Sequence, residues 1–275
     1  MVAAVRARKA WWARVQESSG TNGNGGDQSV SVITPARDAA VTLEATIRSV
    51  AAQTHPVREQ IIIDDGSVDG TRDVVQALQD EFSFLRYVKQ AKRGAARARN
   101  LGIEMAQGRF IAFVDSDDLW LPHRVACQLP AFAHPSVRLV CGGYRVIDEQ
   151  GGDTGRSTLP PAISNYQQLL RVNSVGCLTA MYDTWRSGKC YMPHIPRRQD
   201  YGLWLQLVRD GGVVMGCQAI VAAYRCRAGS LSSNKLAALS WQWHLYRRYE
   251  RLPLLRAVQC LASHCCAYRR KYRVM

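Results

Sequence analysis

The sequence predicts an α/β fold in which a mostly parallel sheet carries helices on both faces. Three observations point there. Short apolar runs rich in β-branched residues, such as SVSVITP, EQIIIDDG and RFIAFVD, have the length of buried strands. Stretches of helical period stand between them, as βαβ crossovers require. The strands also end in turn formers and carboxylates, where ligands bind in open sheets of this kind.

Taken in order, SVSVITP (29–35) is the first strand, ending at a proline. AAVTLEATIRSVAAQ follows as a helix with Val41, Leu43, Ile47, Val50 and Ala51 on one side. EQIIIDDG is a second strand ending in Asp64 and Asp65, and DGTRDVVQALQDEF a helix with Asp69 as its N-cap. FLRYVKQ is a third strand, GAARARNLGIEMAQG a helix closed by Gly108, and RFIAFVD a fourth strand. Beyond Pro122 the alternation loosens. PHRVACQLPAFAH and SNYQQLLRVN read as helices, VRLVCGGYRVID and CLTAMYD as strands, and EQGGDTG as a turn. DYGLWLQLVRDGG is an amphipathic helix, GVVMGCQAIVAAYRCR further strand, and two helical stretches divided at Pro253 end the chain. In the last, Leu254, Val258, Leu261, Cys265 and Tyr268 form an apolar stripe.

Composition narrows the class. The chain has 275 residues, 47% hydrophobic and 21% charged, as a packed globular protein does. No apolar run approaches the roughly 18 residues of a membrane span, and the basic N-terminus lacks the apolar stretch of a secretory signal. Nine cysteines at irregular spacing, without a CxxC pair, read as reduced thiols in the cytoplasm. The organisation expected is a flexible basic segment and linker over 1–28, a main folded domain over 29–235 and basic amphipathic helices over 236–275. Of the net charge of +14, half lies in Ser240–Met275, where eight Lys/Arg face one acid, Glu250. Such a tail attracts anionic lipid, nucleic acid or phosphorylated ligands.

The chemistry gathers at the strand ends. DSDD places Asp115, Asp117 and Asp118 after the fourth strand. Carboxylates there suit a hard divalent cation, Mg²⁺ or Mn²⁺, which takes one or two of them plus phosphate oxygens and water. Taken alone, the motif fits a solvated acidic turn equally well; the second acidic strand end at Asp64-Asp65 favours a site. Asp65 suits a nucleotide base, although DDGSVDGT is also rich in turn formers. Arg97 and Arg99 can reach phosphates or form a solvated face. Asp200, at the start of a helix, is placed for general-base work or for capping.

In this order, VSVITPARD, IIIDDGSVDGT, GAARARNLGIEMAQGRFIAFVDSDDLW, RRQDYGLWLQL and YRCRAGSLSSN resemble the family 2 glycosyltransferases over roughly Ser29 to Tyr272. CLTAMYD, RRQDYGLWL and WQWHLYRRYERL resemble the branch that builds bacterial surface polysaccharides, of the teichuronic-acid type. The resemblance implies a GT-A fold: a Rossmann-like, mostly parallel sheet flanked by helices, with a smaller acceptor-side region and C-terminal helices. It implies a nucleotide-sugar half over about 29–120 and an acceptor half over about 121–235. Pro35 and Arg37 would line the nucleotide pocket, Asp65 would contact the base, and Asp115 and Ser116 would approach ribose and diphosphate. Asp117 would ligate the metal, Arg99 would sit near the donor, Arg225 would help with the diphosphate, and Asp200 would be the base of an inverting displacement. The acceptor would be a saccharide, lipid-linked at the inner membrane face, with the basic tail touching anionic lipid and no nucleic acid involved. The chain departs from the family at Arg37-Asp38, where Tyr-Asn is usual, and at Gln199, where Glu is common. It shows no QxxRW-like element, which separates it from processive, membrane-embedded synthases. Two other readings fit less of the chain. A Mg²⁺-dependent phosphoryl-transfer enzyme would lack the Thr of a DxDxT motif, and a catalytically inactive GT-A binding protein would rest on Arg37-Asp38 alone.

Overall fold

A computed structural model describes residues 27–227 and 235–273, without the side chains of 235–238 and 268–273. The expected N-terminal segment up to residue 26, the GSLSS stretch and the Tyr268 side chain lie outside the described residues. The first half is three strand–helix repeats and a fourth strand: β1 (Val30–Ala36), α1 (Leu43–Ala51), β2 (Glu59–Asp64), α2 (Thr71–Gln79), β3 (Leu85–Lys89), α3 (Ala95–Met105) and β4 (Phe110–Phe113). There follow β5 (Leu119–Trp120), α4 (Arg124–Gln128), β6 (Val137–Ile147), β7 (Asp153–Thr158), β8 (Ile163–Asn165) and α5 (Tyr166–Arg171). The chain continues through β9 (Met181–Asp183), α6 (Thr184–Ser187), α7 (Gln199–Val208) and β10 (Val213–Arg225). It closes with α8 (Lys235–His244), a π-helical turn (Leu245–Tyr249) and α9 (Leu254–Arg273).

All ten strands join one sheet in the order β3-β2-β1-β4-β9-β6-β10-β5, with β7 on β6 and β8 on β10. The run β3-β2-β1-β4 is parallel, β9 is antiparallel to both its neighbours, and β6 and β10 run parallel to each other. The apolar runs are explained by burial on both faces. Ile61 and Ile63 pack with Ile33, Phe113, Trp204 and Tyr201, whereas Ile62 packs with Leu43, Ile47, Val75 and Leu78 beneath α1 and α2. Leu245, Tyr246, Leu252, Ala257 and Cys260 of the C-terminal segment enter the first of these clusters. The parallel register sets Ala36 against Asp64 and Ile33 against Phe113, so the carboxyl ends of β1, β2 and β4 share one rim.

Several local expectations change. Val41 precedes α1 and is 94% exposed, because the buried side of that helix is Leu43, Thr46, Ile47 and Val50. Gly70, not Asp69, is the N-cap of α2; Asp69 stands one residue earlier and accepts the Thr71 and Ala40 N–H groups, each at 3.0 Å. α3 stops at Met105, and Gly108 instead lets the chain pass over β1, where a Cβ would lie 2.8 Å from the Ser31 nitrogen. The presumed turn EQGGDTG is partly a strand, β7, whose residues stay mostly exposed. On α9 the buried side is Ala257, Cys260 and His264, while Leu254 and Val258 of the expected stripe face outward.

Candidate active site

Three strand ends supply the rim. At the end of β1, Pro35 is half-buried and Arg37 exposed, with Arg37 Nε 3.6 Å from its neighbour Asp38. Asp38 has φ of 47°, a left-handed conformation that Asn and Asp tolerate better than other side chains. Its N–H donates to Ser67 Oγ at 2.9 Å and its carboxylate accepts the Val68 N–H at 3.0 Å, which holds the turn. Asp in place of the usual Asn therefore keeps the backbone geometry, whereas Arg37 replaces an aromatic ring with a cation.

At the end of β2, Asp64 is buried and accepts the Ser67 N–H at 2.8 Å and the Tyr87 hydroxyl at 2.5 Å. Asp65 is also buried. One oxygen accepts Gln90 Nε2 and the Arg93 N–H, each at 2.7 Å, and the other accepts the Gly94 N–H at 2.8 Å. Asp65 thus positions the loop that opens α3, the helix that carries Arg99.

DSDD follows β4 as a tight turn, closed by the Asp118 N–H on the Asp115 carbonyl at 3.1 Å. Thr42 Oγ1 donates to the Ser116 carbonyl and Thr46 Oγ1 to the Asp118 carbonyl, both at 2.9 Å. From β10, Arg225 donates its N–H to Asp118 Oδ1 at 2.8 Å and its Nε to the Asp117 carbonyl at 2.9 Å. Its Nη1 also holds the carbonyls of Asp148 and Glu149, at 3.3 and 2.8 Å. These contacts lock the backbone and leave the Asp115 and Asp117 side chains about one-third exposed, at 34% and 30%.

The electrostatics are those of an incompletely neutralised acidic pocket. Burial, reinforced by the Asp115 charge, raises the Asp117 carboxyl above the ordinary range, with Arg227 opposing. Burial lifts Asp118 well above that range, helped by Asp115 and Asp117. Arg99 is buried and ion-paired with Asp115. Burial disfavours its charge, but Asp115, with a smaller contribution from Asp200, raises its affinity for the proton overall. Its buried Nε has no hydrogen-bond partner. Arg97, on the same helix, is exposed.

Asp200 is the second residue of α7; the N-cap is Arg198, so Asp200 does not occupy the capping position. Its charge is felt at Cys177, a thiol that burial pushes well above its ordinary range. Arg99 opposes that shift, and Asp115, Asp200 and Asp118 all add to it. Residues from α3, the DSDD turn and α7 therefore lie within electrostatic reach of one thiol, Cys177.

Two contributors were not singled out from sequence. Arg227 lies with its Nε 3.5 Å from Asp117 Oδ2 and donates to Thr42 Oγ1 at 2.9 Å. Its signal was the Arg-x-Arg alternation at the end of β10, which points two cations the same way along an extended chain. Cys177 had none, because only the fold brings it beneath the rim.

Among the described residues no three His, Cys, Asp or Glu groups converge on a common metal position. The pocket therefore offers Asp117 with Asp115 nearby, which fits a cation completed by phosphate oxygens and water. Burial raises Asp117 and Asp118 first, and the repulsion among the aspartates that adds to it is what such a cation would relieve. Among the described residues no helix is long and apolar enough to cross a membrane.

Comparison with known proteins gives the chain a family. Residues 31–188 match the model of glycosyl transferase family 2. TuaG of Bacillus subtilis, whose name assigns it to teichuronic acid biosynthesis, is 38% identical over 86% of this chain and 94% of its own. WfgD of Escherichia coli, named as a UDP-Glc:α-D-GlcNAc-diphosphoundecaprenol β-1,3-glucosyltransferase, is 35% identical over 84% of this chain and 90% of its own. Among solved structures, S. aureus TarS 1–349 with UDP-GlcNAc superposes with a TM-score of 0.63 at 18% identity, covering 85% of this chain and 70% of that one. The mannosyltransferase PcManGT of Pyrobaculum calidifontis, with GDP-Man and Mn²⁺, also reaches 0.63 at 18% identity, covering 94% of this chain and 78% of its own. These likenesses establish the GT-A architecture, and with the family match over more than half of the sequence they show that the chain is an enzyme belonging to glycosyltransferase family 2.

Proposed function

We propose that this enzyme transfers a sugar, with inversion, from a nucleotide-sugar donor to a hydroxyl of a lipid-linked saccharide in cell-surface polysaccharide assembly. The observation that supports the reading is the ion pair of Arg99 with Asp115 in the DSDD turn, with the Asp200 charge acting on both Arg99 and the neighbouring Cys177. The names of the relatives WfgD and TuaG support the acceptor and pathway class, and UDP-hexose is the donor class to test first. The donor half spans about 29–120 and the acceptor half about 121–235, with residues before 29 and after 235 outside this core.

In this reading Pro35 and Arg37 border the base and Asp65 presents a carboxylate to it. Asp115 and Ser116 face the ribose and diphosphate, and Arg99 holds Asp115 in place. Asp117 is the protein ligand of a divalent cation, which when bound supplies positive charge for the departing diphosphate. Arg225 serves the diphosphate by fixing the Asp117 backbone, and Arg227 adds positive charge beside it. Asp200 removes the proton of the acceptor hydroxyl. That oxygen forms a bond to the anomeric carbon as the bond to the diphosphate breaks, and the nucleoside diphosphate leaves with the electron pair. The enzyme acts at the cytoplasmic face of the membrane as a peripheral protein.

Calorimetric titration with UDP-hexoses tests the donor half. Binding is expected with Mn²⁺ or Mg²⁺, strongly weakened by EDTA, and Asp117→Ala is expected to lose the cation dependence. Equal binding with and without the cation would contradict the assignment of Asp117.

A further inference from the structure

Helix α9 has an unusual outer side. A helix lying on a protein normally buries one apolar stripe and shows water a charged face. Here Ala257, Cys260 and His264 are buried against the body, yet the opposite side carries Leu254, Leu255 and Val258 at 57%, 79% and 50% exposure. Ala262 and Cys266 continue that outer side, also exposed. From Ala257 to Tyr268 the sequence holds no Asp, Glu, Lys or Arg. Cations gather at both ends instead: Arg247, Arg248, Arg251 and Arg256 before this stretch, Arg269, Arg270, Lys271 and Arg273 after it. The nearby acid, Glu250, is engaged by Arg209 at 2.8 Å and by the Tyr166 hydroxyl. Between α5 and α9 a groove of about 550 Å³ is lined by Gln167, Arg171, Leu255 and Arg256.

We infer that this outer face of α9 docks onto an anionic lipid bilayer. Leu254, Leu255 and Val258 enter the interface, the flanking arginines meet headgroup phosphates, and the groove between Arg171 and Arg256 receives one of them. Charge complementarity argues for this occupant: an apolar strip bounded by cations at both ends matches an acyl–headgroup boundary of negative surface potential. The inner face explains its use. His264 lies close enough to Arg198, the N-cap of α7, for that charge to help depress its pKa to about 4, after burial as the larger cause. The docked helix thereby packs on α5 and α8, with His264 within electrostatic reach of the residue that caps the Asp200 helix. The inference rests on the proposed membrane-borne acceptor for its purpose, but not for its test.

Co-sedimentation of the full chain with vesicles, without donor or acceptor, separates the two. Vesicles of phosphatidylcholine with phosphatidylglycerol are expected to bind the protein at physiological salt, and pure phosphatidylcholine vesicles are expected to leave it in solution. The triple variant Leu254→Asp, Leu255→Asp, Val258→Asp should lose binding at least about tenfold, with unchanged melting temperature and unchanged transfer to a water-soluble acceptor analogue. Absence of the wild type from anionic vesicles, or wild-type binding by the triple variant, overturns the inference. So does a wild-type dimer that these substitutions dissolve, since the face would then be covered by a second copy. Failure of glycosyl transfer in a soluble assay would count against the proposed function and leave the vesicle result standing.

Discussion

Asp118 shows how a single residue records the demands of the site. Its carboxyl is buried between two others and its proton affinity is raised, while its Oδ1 accepts the Arg225 N–H. The folded protein therefore holds this proton more tightly than the unfolded chain does. Its contribution to stability falls as pH rises from the ordinary aspartate range through the raised native value, and the full penalty is present above that. Asn keeps the accepting carbonyl and cannot ionise. Asp118→Asn should melt higher than the wild type at neutral pH, with the difference shrinking as pH approaches about 4. Thermal melts at several pH values check this, and an equal or lower melting temperature throughout would contradict it. The acidic motif was legible at this scale, because three carboxylates in four positions stand out in any sequence. The division of labour among them was not, since it depends on Thr42, Thr46, Arg225 and Arg227 arriving from distant parts of the chain.

Among the elements, α3 matters most, because it carries Arg99 to the rim across the face of β1. The approach is set by Gly102, where a Cβ would stand 2.6 Å from Ile33 Cγ2. Gly102→Ala gains about 1 kcal/mol in helix propensity but overpacks a buried contact, which costs about 1–3 kcal/mol. We expect a net loss in urea-denaturation stability together with weaker donor binding, because α3 must shift to make room. Unchanged donor affinity would mean that Arg99 is not held by that packing. The strands of the first half were readable because burial on both faces writes continuous apolar runs. β7 was not, since DTGRST pairs only with β6 and stays near the surface, so no alternation marks it. The stripe on α9 was misassigned for a related reason: with apolar residues on two sides, periodicity alone cannot choose which side packs.

Across the whole molecule, parallel register does the assembling. It sets Ala36 against Asp64 and Ile33 against Phe113, so that the residues after Phe113 reach the same rim, and β10 brings Arg225 and Arg227 to the DSDD turn there. α7, from the second half of the chain, carries Asp200 in its first turn, and that charge acts on Cys177 together with Asp115 and Asp118. The alternation of strands and helices made the rim legible, but nothing local in RRQDYGLWLQL distinguishes a base from a capping residue. The most direct test is the turnover number of Asp200→Asn with a UDP-hexose donor and a matched acceptor. The account predicts a fall of about 10²–10⁴-fold, with the fold and UDP affinity retained. Turnover close to that of the wild type would contradict it.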